Sequence, residues 1–312
     1  MVRSKVSVIL PSRNEPFLNR TIQDVLGQAT GDVECIVVLD GAPPTQPLPN
    51  DPRIVVVEHK EPMGIGQSSW DGAQAATGDY IMKLDAHCAM GKGYDEILAR
   101  DCGPLDLIVP SRFQLKDDGW KRGYGPIDYY YYTYPWIFES QFGWGLHGKK
   151  WLGQDGLSGG YFDREKRDRK IPLDDMMAFQ GSLFFMSRAR FLALGGVDPL
   201  YWLWQESTCI GMKVWLSGGR CIIDKWTWYA HLHKGNKHGR GYFINKTNVM
   251  EGAYHSANMW MNDLWVSPFK VRDMHWFVDH FWPIPGWPED WDNPKYQAVL
   301  AERLRRELKW TI

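Results

Sequence analysis

The 312-residue chain contains no run of 18 apolar residues, which argues against a transmembrane helix. Its N-terminus, Met1-Val2-Arg3-Ser4-Lys5, passes straight into a strand-like run and lacks the apolar stretch of a signal peptide. Cysteines are few: the five, at 35, 88, 102, 209 and 221, are scattered, odd in number and without CxxC spacing. That excludes a disulfide framework or a thiolate zinc site and fits a reducing, cytoplasmic setting. Net charge is nearly absent too, at -1, so a strongly basic nucleic-acid protein is excluded by total charge. Tryptophan is scarce early, since of 17 only Trp70 precedes Trp120. There are no internal repeats and no low-complexity linker, which favours one continuous domain.

What is present is a hydrophobic content of 44%, enough for a real core. The charge is uneven. Residues 1–110 hold nine basic and fifteen acidic residues, residues 111–312 twenty-seven and twenty-two, balances of -6 and +5. Short apolar runs at 6–10, 34–39, 54–57, 80–84 and 105–109 read as strands. Helical spacing over 17–29 and 64–76 separates the first four. This alternation predicts an α/β fold with a mostly parallel central sheet flanked by helices. Ligands of such sheets bind at the carboxyl ends of the strands, where Asp40 and Asp85 fall. Further on, 181–187 and 221–223 read as strands, 206–217 as a helix capped by Gly218-Gly219, and 296–309 as a charged terminal helix. Residues 114–175, rich in Gly, Tyr, Trp and charge, give no regular pattern. Their aromatic cluster at 124–136 (Tyr124, Tyr129 to Tyr132, Tyr134, Trp136) is expected to pack in the core or a lid rather than bind an acceptor, and the charged run 163–170 to be a solvated, mobile loop.

Three segments could carry chemistry. In Leu84-Asp85-Ala86-His87 the i, i+2 spacing turns a carboxylate and an imidazole the same way, a pair suited to Mn²⁺ rather than Ca²⁺. His231-Leu232-His233-Lys234 offers another imidazole and a phosphate-neutralising lysine, followed by His238 and Arg240 in a glycine-rich stretch that reads as a mobile loop. Trp202-Leu203-Trp204-Gln205-Glu206 places an acid at a helix start beside apolar faces for a sugar ring. Each also has a plain structural explanation: a solvated acid, a core histidine, a capped helix.

The order of these pieces, with Val8-Ile9-Leu10-Pro11-Ser12-Arg13-Asn14-Glu15 at the start, resembles nucleotide-sugar glycosyltransferases of family 2 with the GT-A (Rossmann-like) fold. Leu84-Asp85-Ala86-His87-Cys88 closely resembles the DxH metal motif of the polypeptide N-acetylgalactosaminyltransferases. Gly181-Ser182-Leu183-Phe184, Gly195-Gly196-Val197-Asp198 and Trp204-Gln205-Glu206 follow in that family's order. The resemblance spans about residues 5–265 and is weak through 114–175. It implies a nucleotide half at 1–110, a sugar and acceptor half at 111–265 of the same domain, and a C-terminal extension at 266–312. It implies Mn²⁺, with Mg²⁺ as the alternative, on Asp85, His87 and His231. Donor contacts are implied for Pro11, Arg13, Glu15, Asp40, Gln67, Asp85, Ala86, Trp204, Gln205, Glu206, Lys234, His238 and Arg240, with Asp85 and Glu206 carrying the chemistry.

Departures narrow what carries over. Gln67 stands near a donor-binding arginine of that family, Cys209 replaces an acid, and the family's membrane anchor, stem and lectin domain have no counterpart here, which suggests a soluble bacterial or viral enzyme. The expected activity is transfer of a hexose or N-acetylhexosamine, GalNAc foremost, from a UDP-sugar to a hydroxyl. Ser207 follows Glu206 where inverting relatives carry a general base, so retention is expected, with Glu206 as an inverting base the competing view. A polypeptide, a glycan or a hydroxymethylated pyrimidine in phage-type DNA are the candidate acceptors; the +5 balance after residue 110 and tyrosines that could stack on an extruded base favour the DNA acceptor, and the lack of a dense basic stripe disfavours it. An inactive sugar-binding module is the alternative of another class.

Overall fold

The computed structural model describes residues 4–136, 139–140, 143–154, 161–198, 204–240, 242–296 and 298–299. Its strands are β1 Val6–Ser12, β2 Val33–Asp40, β3 Ile54–His59, β4 Tyr80–Leu84, β5 Cys88–Met90, β6 Leu107–Lys116, β7 Lys121–Arg122, β8 Tyr130–Tyr132, β9 Glu139–Ser140, β10 Gly143–Trp144, β11 Gly148–Lys150, β12 Leu152–Gln154, β13 Tyr161–Asp163, β14 Leu173–Asp175, β15 Leu183–Ser187 and β16 Cys221–His231. Its helices are α1 Leu18–Gln28, α2 Gly64–Ala75, α3 Tyr94–Asp101, α4 Arg164–Arg167, α5 Arg188–Ala193, α6 Glu206–Leu216, α7 Gly235–His238, α8 Lys246–Met261 and α9 Met274–Phe281.

One ten-stranded sheet runs β14-β16-β6-β15-β4-β1-β2-β3, with β5 on β16 and β7 on β6. The predicted parallel arrangement holds over β4-β1-β2-β3. Beyond β4 the sheet is mixed, because β15 inserts antiparallel between β4 and β6. All eight residues of β2 are buried, as a central strand covered on both faces requires. Glu34 within it is held by Ser7, Thr77 and Lys5, which overcome its burial and bring its pKa down to about 2. Helix α1 buries Leu18, Thr21, Ile22 and Val25 on one face. Helix α2 presents small residues instead, and at Gly72 a Cβ would lie 2.4 Å from Ile9 Cγ2. The helix therefore rests almost directly on β1.

Beyond residue 104 the structure differs from expectation in four segments. The strand expected at 105–109 continues to Lys116, and the one beginning at Cys221 continues past a register shift between Asp224 and Trp228 to His231. The charged run, expected to be a solvated loop, is folded: Arg164 and Asp168 are buried and 2.8 Å apart, and α4 occupies part of the run. The expected mobile loop after Lys234 forms the helical turn α7, whose Lys237 and His238 both hold Asp117. The aromatic cluster is core, as expected, at Tyr129, Tyr130, Tyr131, Tyr132, Tyr134 and Trp136, all buried, but Tyr124 is 71% exposed.

Residues 274–296 complete that core. Trp287 Nε1 donates to Tyr132 O at 2.7 Å, and Tyr134 hydroxyl donates to Trp291 O at 2.5 Å. Most of the expected terminal helix at 296–309, and Trp202 and Leu203, lie outside the described residues. All five cysteines are buried and free. Among the described residues no helix is long and apolar enough to cross a membrane.

Candidate metal and sugar-nucleotide site

The sheet brings the exits of β4 and β16 together. Cys88 pairs with His231 across β5 and β16, and Leu232 N donates to His87 O at 3.1 Å. The side chains of Asp85, His87 and His231 consequently converge. His87 Nε2 lies 3.0 Å from His231 Nε2, and Asp85 Oδ2 lies 3.3 Å from His231 Nε2 and 4.0 Å from His87 Nε2. Among the described residues these three are the one group of His, Cys, Asp or Glu whose ligand atoms cluster this way, all within 4.8 Å.

The surroundings orient the cluster. His87 Nδ1 faces Glu15 Oε2 at 3.0 Å, and Lys234 Nζ sits 2.7 Å from the same oxygen. A proton on His87 Nδ1 directs the lone pair of Nε2 into the cluster, the carboxylate–histidine arrangement found behind metal ligands. Burial opposes the charge of Glu15, but bonds from His87 and Lys234 outweigh it and lower its pKa. Asp85 behaves alike: against burial, the Lys83 ammonium and the histidines hold its carboxyl well below the usual range. Burial is the largest cause bringing His231 down to about 3, so its imidazole is neutral at pH 7. One carboxylate and two imidazoles facing a common point fit a divalent cation such as Mn²⁺. A proton on His231 Nε2 can serve only one of its two neighbours, whereas a cation serves all three ligands.

Glu206, at the start of α6, is buried, and its Oε2 has no partner. Burial raises its pKa, partly offset by Lys83. Its carboxylate packs on Gly181, where a Cβ would come within 2.4 Å of Oε1. Gln205 is buried with both amide atoms unpartnered, and Arg240 lies over the Trp204 ring at 5.3 Å. Arg13 lies 5.5 Å from the Tyr242 ring centre. Burial first, then Asp85 among nearby carboxylates, raises the Tyr242 pKa, which places this tyrosine beside the site.

Other expected donor contacts form a separate group. Both Asp40 oxygens accept backbone N–H at the start of α2, from Met63 at 2.7 Å and Gly64 at 3.0 Å. His59 bridges Asp40 to Asp71, which also accepts from Gln67. His238 is turned to Asp117. Pro11 lies within β1, paired with Val38, and Ala86 is buried between the two ligands of the DxH segment. Sequence reasoning missed Lys83, Tyr242 and Arg112, whose guanidinium contacts Tyr130 and His233. The signal for Lys83 was available: it is the one charge in the apolar strand Tyr80-Ile81-Met82-Lys83-Leu84.

The chain is similar to known glycosyltransferases. Residues 7–153 match the family described as Glycosyl transferase family 2. Polypeptide N-acetylgalactosaminyltransferase 10 of Rattus norvegicus is 28% identical over 252 residues, covering 73% of this chain and 38% of that protein. The Drosophila melanogaster protein numbered 13 among the polypeptide N-acetylgalactosaminyltransferases is 27% identical over 253 residues, 75% of this chain and 42% of its own length. The chain thus spans about two fifths of these curated relatives. GalNAc-T7, solved with UDP, GalNAc and Mn2+, superposes with a TM-score of 0.61 at 18% identity, over 90% of this chain and 57% of that one. Residues 7–153 are thus similar to family 2 glycosyltransferases, and the fold is GT-A.

Proposed function

We propose that this GT-A domain is a metal-dependent retaining glycosyltransferase that moves a hexose or N-acetylhexosamine, GalNAc foremost, from a UDP-sugar to an acceptor hydroxyl. The observation that carries the reading is the convergence of Asp85, His87 and His231 with Glu15 and Lys234 behind them. Asp85, His87 and His231 would hold Mn²⁺ or Mg²⁺, which when bound would supply positive charge to offset that developing on departing UDP. Glu15 fixes the tautomer of His87. Lys234 places an ammonium at the same edge, suited to a phosphate oxygen. Gln205 and Glu206 bring buried polar atoms that lack partners, and sugar hydroxyls would satisfy them.

Ser207 has no basic group to deprotonate an acceptor, so attack from the leaving-group face, with the departing phosphate taking the proton, is the favoured course. The unpartnered oxygen and raised pKa of Glu206 favour the second reading, an inverting base. A panel of UDP-sugars with Mn²⁺, offered peptide, glycan and hydroxymethylated DNA, should give one glycosylated product by mass spectrometry. NMR of that product decides the course: a β-linkage from an α-linked donor overturns retention. No transfer and no hydrolysis of any UDP-sugar would leave a sugar-binding module instead. Asp85→Ala should lose turnover with its circular dichroism unchanged.

A further inference from the structure

Lys83 has no exposed surface. A buried ammonium is costly unless it is paired and hydrogen-bonded, and this one is both. Its Nζ donates to Asp85 Oδ1 and to Gly181 O, each at 2.5 Å. One carboxylate oxygen of Asp85 is thereby engaged, and only Oδ2 is left facing the two imidazoles. The charges around the cluster also cancel in pairs. Lys83 balances Asp85, Lys234 balances Glu15 at 2.7 Å, and histidines that ligate a metal are neutral. From these pairs a lone divalent ion gains no net negative charge, and it meets a fixed ammonium on the far oxygen of its only carboxylate ligand. A nucleotide diphosphate brings the anionic oxygens that the protein withholds.

We propose that Lys83 is a positioning residue that holds Asp85 as a one-oxygen ligand and keeps the affinity for a bare divalent cation low, so that the ion is retained together with the nucleotide diphosphate. This rests on the metal-dependent reading above, and the test separates the two. Mn²⁺ is titrated into the full chain with and without UDP, free ion is read by electron paramagnetic resonance, and Mn·UDP formed in a protein-free titration is subtracted. The wild type is expected to bind Mn²⁺ at least tenfold more tightly with UDP. Lys83→Met and Lys83→Gln are expected to bind bare Mn²⁺ at least tenfold more tightly than wild type and to gain less from UDP. Adding His231→Ala to either should remove that gain. Equal wild-type affinity with and without UDP overturns the proposal and needs no variant, so a Lys83→Met chain that fails to fold does not shield it. Folded variants that bind bare Mn²⁺ as weakly as wild type overturn it as well. Absence of Mn²⁺ binding by the wild type under both conditions overturns the metal-dependent reading itself.

Discussion

Glu15 and Gly181 show how much of the site is set by residues that would touch neither metal nor leaving group. Glu15 Oε2 is shared by His87 Nδ1 and Lys234 Nζ. Glu15→Gln keeps the shape but removes the charge, and its amide offers the imidazole an ambiguous partner. Loss of about 10- to 100-fold in Mn²⁺ affinity or turnover is expected, measured by metal titration with UDP present. An unchanged affinity would show that Glu15 does not orient His87. Gly181→Ala would drive a Cβ toward Glu206 Oε1, with Glu206 Cδ at 2.8 Å also in the way. Because Glu206 is buried, its carboxylate has to move. A fall in kcat with a near-native melting temperature is the expected outcome. Asp85 and His87 were legible in the sequence because a strand exit turns i and i+2 the same way. Lys83 stood out as the one charge in an apolar strand, but its role stayed hidden until its partner oxygens were located. Asp40 was placed correctly at a strand end, yet both its oxygens accept from the turn into α2, a local hydrogen-bond pattern that residue type alone does not reveal.

Elements add constraints of their own, and α2 on β1 is the tightest. Gly72→Ala would put a methyl 2.4 Å from Ile9 Cγ2 and 3.3 Å from Val38 Cγ2, between a helix and the centre of the sheet. Overpacking of this kind costs roughly 1–3 kcal/mol, readable as a lower urea midpoint at unchanged slope. The segment around β8 and α4 should respond to pH. Burial, and after it the Glu165 carboxylate, lifts Asp128 to about 7, while Ser111 and Arg112 N donate to its two oxygens. Unfolded, the group titrates near the ordinary aspartate value of about 4. Between these values the folded chain holds a proton that the unfolded chain has lost, so stability falls as pH rises from about 4 to about 7 and then levels. Asp128→Asn mimics the protonated form. It should stabilise the protein by roughly 2 kcal/mol at pH 8 and by little at pH 4, compared by urea denaturation at both pH values. Equal effects at the two pH values would remove Asp128 as the titrating group. The contrast between halves explains what the sequence hid. Buried parallel strands such as β2 are unbroken apolar runs, whereas β8 and β11 are three residues each and pair across an intervening segment. In β16, the polar Asp224-Lys225-Trp226-Thr227 stretch spans the register shift and conceals that the strand continues to His231.

At the scale of the whole molecule, the excess of positive charge after residue 110 suggested a surface for an anionic acceptor, with tyrosines to stack on an extruded base. Burial removes all of them but the exposed Tyr124 from that role, since the run from Tyr129 to Tyr134 is 1–6% exposed at each tyrosine and covered by α9 and the segment that follows it. Much of the positive charge is also engaged internally. Arg164 is bound to Asp168 and Asp174, Arg112 to Tyr130, Arg190 to Ser217 and Arg220 to Asp175. Exposed cations remain, notably Lys121 and Arg122, but Arg122 lies over the rings of Phe113 and Trp228 rather than extending a basic stripe. The acceptor is therefore expected to be a hydroxyl on a polypeptide or glycan. Salt separates this from a DNA acceptor, because neutralising several phosphates releases counterions and makes affinity fall steeply with ionic strength. For the acceptor found active, KM should change by no more than about threefold between 50 and 200 mM salt, against roughly a thousandfold for an enzyme making six or more phosphate contacts. A steep fall, with hydroxymethylated DNA as the active acceptor, would mean that the exposed cations near β7 track a backbone after all. In that case Arg122→Ala would lower the salt slope, and the engaged Arg164 would have no direct part in it.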